Sequence, residues 1–282
     1  MKINRYRLQK LISESIKKLI YEQEIEEEPG ESLNVEEEHT FKISGVNSEL
    51  TGFAFSQEKR ERAAYYAIQE ESLWNGRHDN DPECSDILRK YWRSFFGGGR
   101  TEFVNHLSNP EFLNDPHFCD EAGMRVPGHP WSAAFVRWCM QKAGYSEFND
   151  ISHIPFFMAA YRNRVDFIQN NESIGDGAYM LFFTDEIDES DIVKGDNGIF
   201  FRGAGAPKTE AAARTWFENN IDNDTHIDSH SDICVSPGVC IGGNVGSPGT
   251  VEERDIPGRW RAVVKYITGY EYAPELYASS TV

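Results

Sequence analysis

The stretch Pro130-Trp131-Ser132-Ala133-Ala134-Phe135-Val136 places a small hydroxyl side chain where a helix is predicted to begin. Apolar residues recur at helical spacing after Ser132, and the run ends at Gly144. Two later stretches add polar chemistry: Ser229-His230-Ser231-Asp232-Ile233 carries an imidazole, and Ile241-Gly242-Gly243-Asn244 carries an amide. A nucleophile at a helix start, a base on a strand and a polar orienting group form the arrangement that acyl transfer needs.

Helical patterns precede strand patterns along the chain. Residues 57–74 and 86–96 predict helices, the second ending at the triple glycine of residues 97–99. Apolar runs at residues 180–183, 198–202, 232–235 and 261–267 predict strands. The predicted fold class is therefore α+β, with N-terminal helices packed on a mainly antiparallel sheet.

Charge divides the chain into three predicted segments. Residues 1–22 form a basic amphipathic leader helix, because six Lys or Arg and one Glu fall in residues 1–20 among apolar residues at three- and four-residue intervals. Residues 23–50 form an acidic linker, since residues 21–40 hold nine Glu and no Lys or Arg. Residues 51–282 form a single domain, because no second linker or internal repeat interrupts them.

The overall composition excludes some partners and compartments. A formal net charge of -18 argues against nucleic acid, which needs a basic surface. No apolar run is long enough to span a membrane, and the basic start lacks the apolar core of a secretory signal. We therefore expect synthesis in the cytoplasm. The leader is either a docking helix for a larger assembly or a surface helix folded on the acidic body.

Neither the cysteines nor the acidic residues predict a metal site. The five cysteines have no paired spacing, so they are expected to be reduced and buried. Cys139, two helical turns after Ser132, is favoured as core over a substitute nucleophile. His226, Asp228, His230 and Asp232 alternate, so a strand would place them on one face, but no other zinc-hydrolase motif accompanies them. We expect no metal and no cofactor.

Taken in order, several motifs resemble the CHAP-type amidase and endopeptidase superfamily, whose fold is papain-like. The resemblance spans roughly residues 57–270 and is nearest to a bacterial branch of unknown function that carries Trp-Ser-Ala-Ala-Phe in place of Trp-Cys-Ala-Ala-Phe. The motifs are Pro130-Trp131-Ser132-Ala133-Ala134-Phe135-Val136, Ser152-His153-Ile154-Pro155, Gly195-Asp196, Ser229-His230-Ser231-Asp232-Ile233 and Ile241-Gly242-Gly243-Asn244-Val245.

The resemblance implies cleavage of amide bonds in peptidoglycan. It implies Ser132 as the nucleophile, His230 as the base and Asn244 as a polar group that fixes the imidazole. Substrate-binding or supporting roles are expected for Trp131, His153, Asp196 and Asp232. Because no secretory signal is predicted, a phage or phage-tail-like particle, a lysis event or a pore would deliver the protein, with the leader as the loading element.

Each site residue also has a simpler interpretation. Ser132 on its own is typical of a helix N-cap. His153 either contacts substrate or caps a turn before Pro155, and Asp196 is more typical of a turn than of a catalytic acid. Trp131 is favoured as core.

Serine in place of cysteine leaves two classes of function open. A helix start stabilises a thiolate, but a serine hydroxyl stays protonated at neutral pH and needs a base in direct contact. The first hypothesis is a peptidoglycan-directed amide hydrolase in which His230 touches Ser132. The alternative is a non-catalytic cell-wall-binding or structural component of a particle that keeps the fold.

Overall fold

A computed structural model describes most of the chain from Glu38 onward. The described residues are 38–42, 49–54, 57–96, 104–105, 107–109, 131–145, 152–169, 179–223, 225, 227–246, 248–256, 258 and 260–266. The predicted leader at residues 1–22 lies outside them, as does the first part of the predicted linker.

Six strands form one antiparallel sheet in the order β3-β8-β4-β5-β6-β7. Apolar and β-branched residues favour strands in most of these segments, whereas Thr250–Asp255 is largely charged. Their bounds are β3 Tyr179–Phe183, β4 Asn197–Phe201, β5 Ser229–Ser236, β6 Val239–Val245, β7 Thr250–Asp255 and β8 Ala262–Tyr266. The sheet confirms the predicted α+β class and its antiparallel character.

Five α-helices lie among the described residues. They are α1 Gln57–Trp74, α2 Ser85–Phe96, α3 Ser132–Lys142, α4 His153–Gln169 and α5 Glu210–Asn220, with short 3-10 helices at Pro82–Cys84 and Glu189–Asp191. The sequence predicted α1, α2 and α3 but not α4 or α5. Two signals for the missed helices were present: Pro155 in the first turn of α4, and Thr209 as the N-cap of α5, accepting a hydrogen bond from Ala212 N.

Helix α3 packs closely on strand β6. A Cβ added to Gly243 would lie only 2.6 Å from the Cβ of Phe135, so glycine is what lets the helix approach the sheet here. Phe135 is fully buried in a core shared by helices and sheet. This contact places the start of α3 against β5 and β6, which carry the polar residues of the later motifs.

Two further strands pair across the predicted boundary between the linker, which ends at residue 50, and the domain. They are β1 Glu38–Lys42 and β2 Glu49–Ala54, and they are antiparallel. The linker prediction for residues 23–50 is therefore wrong over these strands. The acidic bias misled it, because backbone pairing between strands does not require an apolar sequence.

The acidic stretch at residues 185–191 contains a buried carboxylate that is held by two arginines. Glu186 is buried, and its carboxylate accepts two hydrogen bonds from Arg164, each 2.7 Å long, and one from Arg214. Arg164 lies on α4 and Arg214 on α5, two helices that were not predicted from the sequence. No helix in the described part of the chain combines the length and hydropathy needed to cross a membrane.

Candidate active site

Ser132 is the first residue of α3, and its hydroxyl does not cap that helix. The N-cap is Trp131, which makes no side-chain capping bond, and the first helical hydrogen bond runs from Phe135 N to Trp131 O. The N-H groups at the start of a helix have no partner within it. Ser132 Oγ therefore lies beside donors that can stabilise an oxyanion, and the interpretation of Ser132 as a simple N-cap is wrong.

His153 supplies the direct partner of Ser132. Its Nε2 lies 2.9 Å from Ser132 Oγ, within hydrogen-bond distance, and both side chains are buried. Burial, helped by the neighbouring His230 and Arg202 and opposed by Asp232, lowers the pKa of His153 to about 3. The ring is therefore neutral at physiological pH. With its proton on Nδ1, the ring accepts the Ser132 hydroxyl proton at Nε2.

His230 is near His153 but does not contact Ser132. It lies on β5, is fully buried, and its ring centre is 6.0 Å from that of His153, with the planes inclined by 60°. It makes no hydrogen bond to Ser132. The expected direct contact between Ser132 and His230 is therefore wrong. The start of α4, which carries His153, brings another imidazole to the hydroxyl, and that placement depends on tertiary packing.

Asp232 lies on the same face of β5 as His230, two residues along the strand. Its Oδ1 is 2.9 Å from His230 Nε2 and accepts a 2.6 Å hydrogen bond from Arg254. Its Oδ2 accepts weaker bonds from Trp260 Nε1 at 3.4 Å and Cys240 Sγ at 3.8 Å. Burial raises the pKa of Asp232, but His230 and Arg254 outweigh burial and hold it well below its ordinary value. The carboxylate is ionised.

Gly242 makes room for this cluster on the neighbouring strand. It is the cross-strand partner of Asp232. A Cβ at Gly242 would lie 2.1 Å from Asp232 Oδ1 and 3.0 Å from both His230 Nε2 and Arg254 Nη2. Only glycine leaves these three side chains free to converge, which explains one glycine of the Ile241-Gly242-Gly243-Asn244 motif.

Asn244 does not orient either histidine. It occupies a positive-φ position, φ 60°, where the pairing of β6 with β7 shifts register. Its Oδ1 lies 2.3 Å from the point that a Cβ on Gly249 would occupy, and Asp79 Oδ2 lies 2.8 Å from that same point. No hydrogen bond joins Asn244 to His153 or His230 in the described structure. The predicted orienting role of Asn244 has no contact to support it.

Trp131 fixes the chain entering α3. Its ring is fully buried and stacks on Trp74, with centres 4.8 Å apart and planes 9° from parallel. Its Nε1 donates to Asp79 Oδ2 at 3.2 Å, and Asp79 N donates to Gly249 O at 2.7 Å. Burial raises the pKa of Asp79. Trp131 thus supports the site from the core, as favoured from the sequence.

Asp196 belongs to a separate buried ion pair. Its Oδ2 accepts from Lys265 Nζ at 2.5 Å and from Val193 N at 2.9 Å, and both charged side chains are inaccessible to solvent. Asp196 makes no contact with Ser132, His153 or His230. Its role is to hold the turn before β4 onto β8.

The four described thiols are buried in the core. Cys84, Cys139, Cys234 and Cys240 are free and buried. Burial raises the pKa of Cys139 well above its ordinary value, so no thiolate replaces Ser132. In the described ranges, no three His, Cys, Asp or Glu side chains are grouped to hold a metal ion, and His226 of the alternating set lies outside those ranges.

Three residues that build the site were not predicted from the sequence. They are Arg254, which binds Asp232; Gly242, which gives the cluster space; and Asp79, which holds Trp131. Arg254 sits in an acidic, partly exposed strand, and Asp79 in a polar turn, so neither carried a recognisable pattern. Gly242 was quoted in a motif, but only the register of β5 with β6 reveals what it faces.

Comparison with protein-family models, with curated proteins and with solved structures found no match to this chain. The geometry of the site is therefore the basis for assigning a function. A hydroxyl at a helix start, a neutral imidazole in contact with it and a second imidazole beside an ionised carboxylate are the groups needed for nucleophilic acyl transfer.

Proposed function

We propose that this protein is a peptidoglycan-directed amide hydrolase of the CHAP-like type, with a papain-like arrangement of its helices and sheet. The observation that carries the proposal is the 2.9 Å separation between Ser132 Oγ and His153 Nε2. A nucleophile and its base need about 2.6 to 3.2 Å between them. The substrate class comes from the ordered motifs of residues 57–270, and the chemistry from this contact.

The proposed reaction uses His153 as general base and then as general acid. Ser132 Oγ attacks the amide carbonyl carbon while its proton passes to His153 Nε2, and N-H groups at the start of α3 stabilise the oxyanion. His153 then protonates the leaving amine, which leaves an ester on Ser132. Water attacks that ester, His153 takes a proton from the water, and it returns the proton to Ser132 as the acid product departs.

His230 and Asp232 act behind this pair. The imidazolium that forms on His153 gains from the ionised Asp232, the anion that raises the pKa of His153. His230 is close to both residues: its ring centre is 6.0 Å from that of His153, and its Nε2 is 2.9 Å from Asp232 Oδ1. This assigns the base role to His153 and moves His230 from base to supporting residue.

Two measurements test the proposal. The first follows the release of new amines from purified peptidoglycan, and the second follows covalent labelling of Ser132 by a fluorophosphonate, which needs no knowledge of the substrate. Ser132→Ala should abolish both. Ser231→Ala is the matched control, because Ser231 is a buried serine beside His230 whose hydroxyl has no hydrogen-bond partner. Equal amine release by wild type and Ser132→Ala would contradict the nucleophile assignment.

A second candidate is a non-catalytic cell-wall-binding or structural component of a particle. The observation that favours it is the closure of the site: Ser132 is 4% exposed and His153 is 7% exposed. With a pKa of about 3, His153 is also a weak base, and general-base catalysis is most efficient when the base titrates near the working pH. Binding to cell walls without bond cleavage, unchanged in His153→Ala, would support this candidate.

Delivery by a phage or phage-tail-like particle remains part of the proposal. It is supported by the basic, amphipathic pattern of residues 1–22, where six cationic residues stand against one acid within residues 1–20. Deletion of residues 1–30 should abolish association with the particle while leaving fluorophosphonate labelling unchanged. Unchanged association would contradict a loading role for the leader.

A further inference from the structure

One carboxylate oxygen of Asp232 faces two nitrogen groups. Arg254 Nη2 donates to Oδ1 at 2.6 Å, and His230 Nε2 lies 2.9 Å from the same atom. The arginine bond has good geometry, whereas neither ring nitrogen of His230 completes a hydrogen bond. Arg254 and His230 therefore share Oδ1, and the bond from Arg254 is the one that meets hydrogen-bond geometry.

The pairing of the strands brings Arg254 close to Asp232. Arg254 lies on β7 and is the cross-strand partner of Cys240 on β6, so its side chain reaches across β6 toward β5. It passes the position where Gly242 lacks a side chain. Its guanidinium also lies 5.7 Å from the ring centre of Phe200, whose ring is 5.0 Å from that of His230. These contacts fix where the guanidinium stands.

Charges reach His230 from several elements. Asp232 on its own strand favours the imidazolium, whereas Arg254 from β7 and Arg202 after β4 disfavour it. From α4 the facing group is the neutral His153, and from β6 it is the Cys240 thiol, which donates to Asp232 Oδ2. Burial, the largest contribution, lowers the pKa of His230. Arg254 and Arg202 thus both disfavour a charge on the buried His230 ring, and Asp232, which favours it, also accepts a hydrogen bond from Arg254.

We propose that Arg254 is a positioning residue: by donating to Asp232 Oδ1, it weakens the attraction between Asp232 and a protonated His230 and so keeps His230 neutral. A neutral His230 matters because a positive charge on His230 lowers the pKa of His153, the residue that accepts the Ser132 proton. The link to reaction rate rests on the proposed function. The effect on His230 does not, since it depends on contacts among three side chains alone.

The test is an NMR titration of the full chain with labelled histidine, in which His230→Asn identifies the His230 signals. In Arg254→Met, His230 should bind a proton about tenfold more tightly than in the wild type, a rise of about one pKa unit. Arg261→Met is the matched control. Arg261 donates to Glu210 at 2.9 Å and is about as exposed as Arg254, 15% against 18% for the side chains.

Arg254→Gln provides a second variant if the methionine protein does not fold. It keeps a neutral donor toward Asp232, so His230 should shift in the same direction by a smaller amount. An unchanged His230 titration in a folded Arg254 variant overturns the proposal, whether or not the enzyme is active. A shifted titration in a protein whose Ser132 resists fluorophosphonate contradicts the proposed function and leaves the role of Arg254 standing.

Discussion

The hydroxyl oxygen of Ser132 lies 2.9 Å from Nε2 of His153, and each of these residues is the first of its helix. Helix α3 is held against β6 by the close approach of Phe135 to Gly243, which fixes the position of Ser132. The contact therefore joins two helix starts above a sheet. His153, and not His230, is therefore the residue in position to take the Ser132 proton. The motifs alone had favoured His230.

Replacement of His153 should impair the reaction more than replacement of His230. We expect His153→Ala to slow labelling of Ser132 by about 10²-fold to 10⁴-fold, because general-base assistance is lost. His230→Ala should cost less, since it removes a group that does not touch Ser132. Rates of fluorophosphonate labelling would compare the two. A larger loss in His230→Ala would restore the strand histidine as the base.

Acid should destabilise the protein through the buried histidines. The unfolded chain protonates His153 near its ordinary pKa of 6.5, whereas the folded chain does so at about 3. Between these values the unfolded state binds more protons, so stability falls as pH falls. From about pH 6.5 to about pH 4.5, His153 alone should lower the free energy of unfolding by roughly 2 kcal/mol.

Urea unfolding at several pH values would measure this effect. His153→Gln should flatten the dependence, because glutamine does not titrate, whereas the same change at the exposed His78 should leave it as steep as in the wild type. The low pKa of Asp232 has its effect at lower pH: its stabilisation is complete above its ordinary pKa of 3.8 and is lost below it. An identical slope in His153→Gln would contradict the assignment.

Gly242→Ala should disrupt the cluster around Asp232. The new Cβ would lie 2.1 Å from Asp232 Oδ1, so Asp232, His230 or Arg254 must move. We expect a loss of about 1 to 3 kcal/mol in the free energy of unfolding, which is typical of overpacking, together with slower labelling of Ser132. Gly258→Ala serves as the control, since a Cβ at Gly258 would meet no atom within 4 Å. Equal stability of the two variants would contradict this packing argument.

The pair of Asp196 and Lys265 should matter for stability and not for chemistry. Breaking a fully buried ion pair leaves one charge unpaired, so Lys265→Met should cost about 3 to 5 kcal/mol. Adding Asp196→Asn to this variant should recover part of the loss, because the unpaired carboxylate disappears. Denaturant unfolding of the single and double variants would show the coupling. Additive losses would mean that the two side chains do not interact.

The partly exposed pair of Asp185 and Arg214 offers a comparison. Its side chains are 49% and 30% exposed, so Asp185→Asn should cost less than about 1 kcal/mol. Labelling of Ser132 should stay normal in all folded variants of Asp196 and Lys265, because neither side chain touches the serine or either histidine. A loss of labelling in a folded Asp196→Asn protein would instead place Asp196 in the reaction.

Local sequence was enough to predict the elements with strong patterns. Helix α1 was predicted from its residue composition, and the start of α3 at Ser132 from a small polar residue before an apolar run at helical spacing. Helix α4 was missed because Ser152-His153-Ile154-Pro155 was interpreted as a turn, although proline is well tolerated in a first helical turn. Strand β7 was missed because its exposed face is charged.

The α+β class and four polar residues of the site, Ser132, His153, His230 and Asp232, could be predicted from the sequence alone. The sequence could not decide which imidazole meets Ser132, because His153 and His230 lie 21 and 98 positions away along the chain, and spacing of that kind does not define a distance. The packing of the folded chain selects His153, because the start of α4 brings its ring to the Ser132 hydroxyl. Arg254 donates to the Asp232 carboxylate beside His230, and the missing side chain at Gly242 leaves room for this contact. Hydrogen bonds act over about 3 Å, and only packing sets distances on that scale.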